Sequence, residues 1–300
     1  MSATEQPFTD TLEIPPAGEE LPHPMAEYIR TERFPHIWCA TCGLGTVLTS
    51  FITGLQKSGL DTKKVSVVSG IGCTGRSAGY LRLDSFHSTH GRAIPFATGL
   101  ALGNPELKVA VISGDGDLIA IGGNHFIHAA RRNIDLTVIC VNNFNYAMTG
   151  GQAGPTTPLE ADASTAPYGV YEYPFNLPHL AESSGAVYVA RWTALHIRRV
   201  AKAVSEALLK PGFSFVEVIA PCSTLYARRN RLGTGLDLMK FYHDNAEIRH
   251  GADTREVGIE FQDRIIVGKF VDRDQDTFSK KRDSYLAKRL GDSYVPYEGP

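Results

Sequence analysis

Short apolar runs rich in β-branched residues recur along the middle of this 300-residue chain: VSVVSG (65–70), VAVISG (109–114), LTVICV (136–141), VYVARW (187–192) and FSFVEVIA (213–220). Helix-like stretches separate them: GLGTVLTSFITGL, AIPFATGLALG, LIAIGGNHFIHAARR and TALHIRRVAKAVSEALLK. Runs of this kind joined through helices are the pattern of a parallel sheet buried on both faces, so the chain is expected to form a doubly wound, mainly parallel α/β core. In the last helix Leu195, Val200, Val204 and Leu208 fall on roughly one face.

Residues 36–226 carry this core. Residues 1–35 read as a polar, Pro-rich N-terminal arm, and 227–300 as a more charged C-terminal extension with one further strand candidate, IIVGKFV (265–271), appended to the core. A hydrophobic content of 43% is enough for a substantial core, and a formal net charge of -2 gives no general pull toward nucleic acid. The N-terminal segment lacks the basic and apolar regions of a signal peptide, and no run is long and apolar enough to span a bilayer, so a cytoplasmic protein is expected.

In open parallel sheets, ligands bind outside the carboxyl ends of the strands. Four of the runs lead directly into distinctive residues: Ile71-Gly72-Cys73, Gly114-Asp115-Gly116, Asn142-Asn143 and Pro221-Cys222. Four strand ends are therefore expected to face one site. Asp115 is placed in a tight strand-to-helix turn whose flanking glycines allow close backbone approach, and helix-terminal amides there can receive a diphosphate. Mg2+ combines one or two protein oxygens with phosphate oxygens, so Asp115 and the Asn143 amide form a candidate clamp. Read singly, Gly-Asp-Gly is an ordinary turn and Asn-Asn an ordinary strand exit. Together, with 25 residues between them, they resemble the fingerprint of thiamine diphosphate enzymes. That resemblance implies that Asp115, Asn143 and the Asn145 carbonyl hold the metal.

The cysteine count is odd, at five. Cys39 and Cys42 form a C-x-x-C; Cys73 and Cys222 each follow a strand. Four thiolates meeting at one rim suit a 4Fe-4S cluster or Zn2+. Two paired knuckles, the usual zinc pattern, are not seen, which favours the cluster. A thioredoxin-like disulfide between Cys39 and Cys42 is a third reading and leaves Cys73 and Cys222 unexplained. Cys140, inside LTVICV, reads as a buried core residue.

The segments WCATCGLG, GIGCTGR, HGRAIPFATGLAL, GDGDLIAIGGNHFIHAARRNID, NNFNYAMTGGQ and APCSTLYARRN, in this order, resemble the β subunit of 2-oxoacid:ferredoxin oxidoreductases, particularly the two-subunit 2-oxoglutarate type. The likeness spans about Trp38 to Asn230, with Ala40 and Thr41 departing from the commoner Pro-Gly. It implies one 4Fe-4S cluster on Cys39, Cys42, Cys73 and Cys222, and CoA-dependent oxidative decarboxylation of 2-oxoglutarate to succinyl-CoA and CO2, or the reverse, with electrons passing to ferredoxin. Pyruvate or branched-chain 2-oxoacids are the alternative substrates. A non-catalytic metal or disulfide protein is the reading of a different kind. The resemblance further implies that His90 and Gly91 contact the diphosphate or thiazolium region, and that Thr74, Gly75, Gly114, Gly116, Asp117, Tyr146, Ala147, Met148 and Thr149 line the cofactor. Arg76, ahead of Arg92, is the candidate for a dicarboxylic substrate's distal carboxylate; a structural salt bridge is the competing role. Arg228 and Arg229 read as a solvated or interface patch, with coenzyme A phosphate binding as the lesser alternative. Nothing in the chain duplicates the core, so a pyrimidine-binding domain with its catalytic Glu is expected on an α subunit, in an αβ or (αβ)2 assembly.

Overall fold

The computed structural model describes residues 25–297 and Gly299; residues 1–24 of the expected arm lie outside them. The core is one eight-stranded sheet built from β1 (Val65–Ser69), β2 (Asp84–His87), β3 (Lys108–Gly114), β4 (Leu136–Asn142), β7 (Tyr188–Thr193), β8 (Phe213–Ile219), β9 (Ala246–Ile248) and β10 (Ile265–Asp272), while β5 (Asn145–Tyr146) and β6 (Gln152–Ala153) form a separate hairpin. Its order is β2-β1-β3-β4-β8-β7-β10-β9, parallel throughout except where β10 runs antiparallel to β7. Every residue of β1, β4, β7 and β8 is buried, as expected for strands covered on both faces.

Two helical layers provide that cover. On one face α1 (Leu44–Ser58) packs against α6 (Ile197–Leu209) through Val47, Phe51, Leu55, Val200, Val204 and Leu208. The two axes come close at Gly54, where a Cβ would lie 2.7 Å from the Ala201 carbonyl and from Val204. On the other face α3 (Ala93–Gly103), α4 (Gly123–Arg131) and α5 (Leu177–Ser183) bury Ala97, Phe126 and Ala181. Phe126 stands edge-on to Phe213 and Phe215 of β8. Burying a side chain of this size contributes about 1.5–3 kcal/mol.

The structure revises several local expectations. The helix expected over 118–132 is divided: a π-helical turn spans Gly116–Ile121, and α4 begins only after Gly122. α6 starts at Ile197, leaving Leu195 outside the helix and 39% exposed, so it is no part of the buried face. β2 has no counterpart among the sequence runs because its four residues are exposed at the sheet edge and carry no apolar signal. The strand expected at 265–271 forms as β10, but it extends the main sheet beside β7, so this part of the C-terminal stretch is built into the core and not appended to it. Among the described residues no helix is long and apolar enough to cross a membrane.

Candidate functional site

β1, β3, β4 and β8 are consecutive in the sheet, and their carboxyl ends bring Cys73, Asp115, Asn143 and Cys222 to one rim. Gly114 ends β3, and Asp115 continues directly in helical conformation (φ −54°, ψ −48°), so no tight turn intervenes. Gly116 is required for a different reason from ligand approach: a Cβ there would lie 2.3 Å from the Tyr146 ring.

Asp115 is buried, and burial pushes its carboxyl up to about 6, against hydrogen bonds from the Thr156 hydroxyl and the backbone that act downward. The chain after β4 turns through Phe144, which holds a left-handed φ of 61°. This turn brings the Asn145 carbonyl oxygen 2.7 Å from the Asn143 side-chain amide, which itself lies 3.2 Å from Asp115 Oδ1. Oxygen ligands at right angles around Mg2+, each about 2.1 Å away, stand about 2.9–3.0 Å apart. The two observed separations bracket that spacing, so the three groups fit a small divalent cation when the Asn143 oxygen faces inward. The turned-over amide would instead donate to both oxygens.

Asp117 has a role that the sequence did not disclose. Its buried carboxylate accepts from Ile71 N (3.1 Å), Gly91 N (2.8 Å), Ser113 Oγ (2.9 Å) and the His90 ring at Nδ1 (2.5 Å). It therefore ties the loop after β1, the loop before α3 and the end of β3 together, and these hydrogen bonds occupy the carboxylate that was expected to line the cofactor. His90 is held through Nδ1, which leaves Nε2 outside that bond on a side chain 38% exposed. Gly91 has φ +72°, and a Cβ there would meet Ile121 at 2.6 Å. Thr74 is buried beside Gly114, and Gly75 lies against Gly70, whose carbonyl leaves no room for a Cβ. Thr149 bonds Gln152 within the β5–β6 hairpin. Arg76 is exposed and makes no ion pair among the described residues, so the structural salt bridge weighed against its substrate role is absent there; the Arg92 guanidinium donates to the Gly91 carbonyl.

All five cysteines are free. Cys39, Cys42, Cys73 and Cys222 line one cavity of about 210 Å³, together with Trp38, Leu44, Ala147, Met148, Ala220, Leu225 and Asn143. That volume is several times the ~30 Å³ of one water molecule. Trp38 Nε1 donates to the Cys73 carbonyl (2.8 Å), and Leu225 N donates to Cys222 Sγ (3.3 Å). Burial, followed by the Cys222, Cys42 and Cys39 thiols, pushes the Cys73 thiol up to about 11, and burial also raises Cys42. Among the described residues no three His, Cys, Asp or Glu side chains converge as ligands of a single ion. Thiolates on one tetrahedral zinc would lie only about 3.7 Å apart, whereas a cubane spreads its four thiolates over separate irons. Cys140, in the middle of β4, is fully buried and apart from this cavity. Asn143 faces both the cation cradle and the cysteine cavity.

A third group was missed entirely. Arg191 on β7 and Glu217 on β8 are register partners joined by a 2.6 Å ion pair, both almost inaccessible to solvent. The available signal was one charge in each of two otherwise apolar strand runs, VYVARW and FSFVEVIA, since buried charges require partners.

Residues 67–218 match the family of the thiamine pyrophosphate enzyme C-terminal TPP binding domain. The chain is 49% identical over 273 residues to the 2-oxoglutarate synthase subunit KorB of Methanothermobacter thermautotrophicus, covering 91% of this chain and 95% of that one. It is 51% identical over 232 residues to the subunit of the same name from Archaeoglobus fulgidus, covering 77% and 85%. A solved structure, 2-oxoglutarate:ferredoxin oxidoreductase from Magnetococcus marinus with 2-oxoglutarate, coenzyme A and succinyl-CoA bound, superposes with a TM-score of 0.79 at 30% identity, covering 91% of this chain and 92% of that one. Rim, fold and relatives agree: this chain belongs to the thiamine pyrophosphate enzymes and, within them, to the family of 2-oxoglutarate synthase KorB subunits.

Proposed function

We propose that this chain is the diphosphate-binding subunit of a 2-oxoglutarate:ferredoxin oxidoreductase, catalysing CoA-dependent oxidative decarboxylation of 2-oxoglutarate to succinyl-CoA and CO2, or the reverse reaction. The observation that carries this reading is the single rim where Asp115, Asn143 and the Asn145 carbonyl converge and Asn143 also faces a cavity lined by four cysteines. When bound, thiamine diphosphate supplies the electron sink that decarboxylation of a 2-oxoacid requires. Asp115, Asn143 and the Asn145 carbonyl hold Mg2+ on the diphosphate, and the Asp117 hydrogen bonds fix the loops around it. Thr74 beside Gly114 and Tyr146 beside Gly116 flank Asp115, and with Gly75 they would line the diphosphate. His90, with Nδ1 bound to Asp117, keeps Nε2 outside that bond and would offer it to the cofactor. The four cysteines hold a 4Fe-4S cluster suited to one-electron steps, and ferredoxin is the acceptor. Arg76, exposed and without an acidic partner among the described residues, is free to pair with the distal carboxylate of 2-oxoglutarate.

The pyrimidine-binding half and its catalytic Glu come from a partner α subunit. The test is CO2 release coupled to ferredoxin reduction, measured with 2-oxoglutarate and with pyruvate, for the chain alone and co-expressed with that subunit. The expected result is turnover of 2-oxoglutarate by the co-expressed pair and none by the single chain. Equal turnover by the chain alone overturns the half-site reading, and preference for pyruvate overturns the substrate.

A further inference from the structure

Behind the cation cradle, a line of buried polar groups crosses the sheet. Arg191 Nε donates to Glu217 Oε2 (2.6 Å), while its guanidinium also donates to the Val257 carbonyl. Glu217 Oε1 accepts from Asn142 Nδ2 (2.8 Å). At the other end of that amide, Asn142 Oδ1 accepts from Phe144 N (3.2 Å) and lies 2.9 Å from the Thr156 hydroxyl, which also donates to Asp115 Oδ2. Every side chain in this line is at most 3% exposed. A buried ion pair is weak grounds for stability, because well-packed apolar residues serve a core equally well. An ion pair aimed at one end of an amide does something that apolar packing cannot, which is to fix which end of the amide faces which way.

We propose that Glu217, held by Arg191, is a positioning residue that sets the affinity of the cradle for Mg2+ by fixing the orientation of Asn142. With Nδ2 committed to Glu217, Oδ1 must face the metal loop, where it closes a turn onto Phe144 N and supports the left-handed φ of 61° there. That turn delivers the Asn145 carbonyl to Asn143. The same orientation places Asn142 Oδ1 2.9 Å from Thr156 Oγ1, whose single hydroxyl proton is donated to either Asn142 Oδ1 or Asp115 Oδ2 at one time, and Asp115 Oδ1 stays clear of both for the cation. Were Asn142 to turn over, its NH2 would oppose the Phe144 N–H and the turn would lose its acceptor. The Val257 carbonyl bond ties this line to the segment leading into β10, so the C-terminal stretch also braces the cradle. The inference rests on the proposed Mg2+ and thiamine diphosphate site, and the test separates the two.

The experiment measures, on the assembled complex, the Mg2+ concentration that half-saturates thiamine diphosphate binding, read by intrinsic tryptophan fluorescence, with kcat at saturating Mg2+ recorded alongside. Glu217→Gln is expected to raise that concentration about 10–100-fold, the usual cost of losing a group that orients a metal ligand, while leaving kcat within about threefold. Placed on Asn142→Asp, where Glu217 would face a second carboxylate, Glu217→Gln is expected to act in the opposite direction and tighten Mg2+, because its amide then donates to Asp at 142. An equal loss in both backgrounds, or a wild-type Mg2+ dependence in folded Glu217→Gln, overturns the proposal. Should Glu217→Gln fail to fold, Arg191→Lys carries the test: it keeps the charge but not the forked donor, and a folded variant with wild-type Mg2+ dependence overturns the proposal equally. Wild-type complex that binds no thiamine diphosphate at any Mg2+ concentration overturns the cofactor reading itself, before any variant is measured.

Discussion

The oxygen side and the sulfur side of this rim are built on opposite principles. Around Asp115 the supporting groups are held by protein hydrogen bonds, with Thr156 on Oδ2, Asn142 behind Thr156 and the Asp117 carboxylate closing the surrounding loops, and the cradle oxygens of Asp115, Asn143 and Asn145 are left facing one another. The four cysteines, by contrast, line an apolar cavity and have few hydrogen-bond partners, and Cys73 is pushed up to about 11 by burial and by its fellow thiols. One side is formed before its ligand arrives; the other is finished by it. On the proposed reading, the cradle's affinity for Mg2+ would be set by the protein's internal hydrogen bonds, whereas the cysteine cavity would need a strongly cationic group to draw the thiolates into place.

This contrast can be broken at either side. The largest effect is expected from Cys222→Ser: complete loss of the broad iron-sulfur absorbance and of ferredoxin reduction, with Mg2+-dependent thiamine diphosphate binding within about threefold of wild type. Loss of cofactor binding with the cluster would show that the two sides are one cooperative unit. Next comes Asp115→Asn, expected to weaken Mg2+ by more than about 100-fold while iron content is unchanged, because a ligand is lost where its orienting neighbours alone are worth 10–100-fold. Iron analysis and cofactor titration on the same preparation decide it.

A smaller effect follows from acidity. Since Asp115 is raised from 3.8 to about 6, protons compete with the cation there. Mg2+ affinity should be level above about pH 6 and fall up to tenfold per pH unit below it, a decline absent in Asp115→Asn. For the Mg2+-free protein the sign is reversed. This carboxyl's contribution to stability is full below about pH 4 and is lost as pH rises through about 6, because the folded state holds the proton more tightly than the unfolded chain does. Titrations of Mg2+ binding and of thermal stability from pH 5 to 8 test both slopes. The smallest effect is at Cys140, the thiol outside the rim: Cys140→Ala should retain all the iron and cost about 1 kcal/mol of stability, measured by denaturant unfolding. Lost iron would place Cys140 among the ligands.

The strands were legible because burial on both faces leaves continuous apolar runs, and four such runs end in residues with distinctive chemistry. From that alone Asp115, Asn143, Cys73 and Cys222 were expected at one rim, whereas Cys39 and Cys42 were joined to it through their C-x-x-C spacing and Asn145 only through the thiamine-enzyme resemblance. What remained hidden depends on long-range pairing. Asp117 looked like part of a motif, and its bonds to Ile71, His90 and Gly91 appear only once three loops are folded together. Arg191 and Glu217 lie 26 residues apart and become neighbours only through the β7–β8 register. β2 stayed hidden because an exposed edge strand needs no apolar pattern.

The central claim, one rim with a three-oxygen cradle beside a four-cysteine cluster site, is tested most directly by composition. Iron, acid-labile sulfide, magnesium, zinc and thiamine diphosphate should be measured in anaerobically purified complex. The predicted result is about four iron and four sulfide per chain, with one magnesium and one thiamine diphosphate in nearly equal amounts. One zinc per chain without sulfide, or a full cluster in protein that binds no thiamine diphosphate, would contradict it.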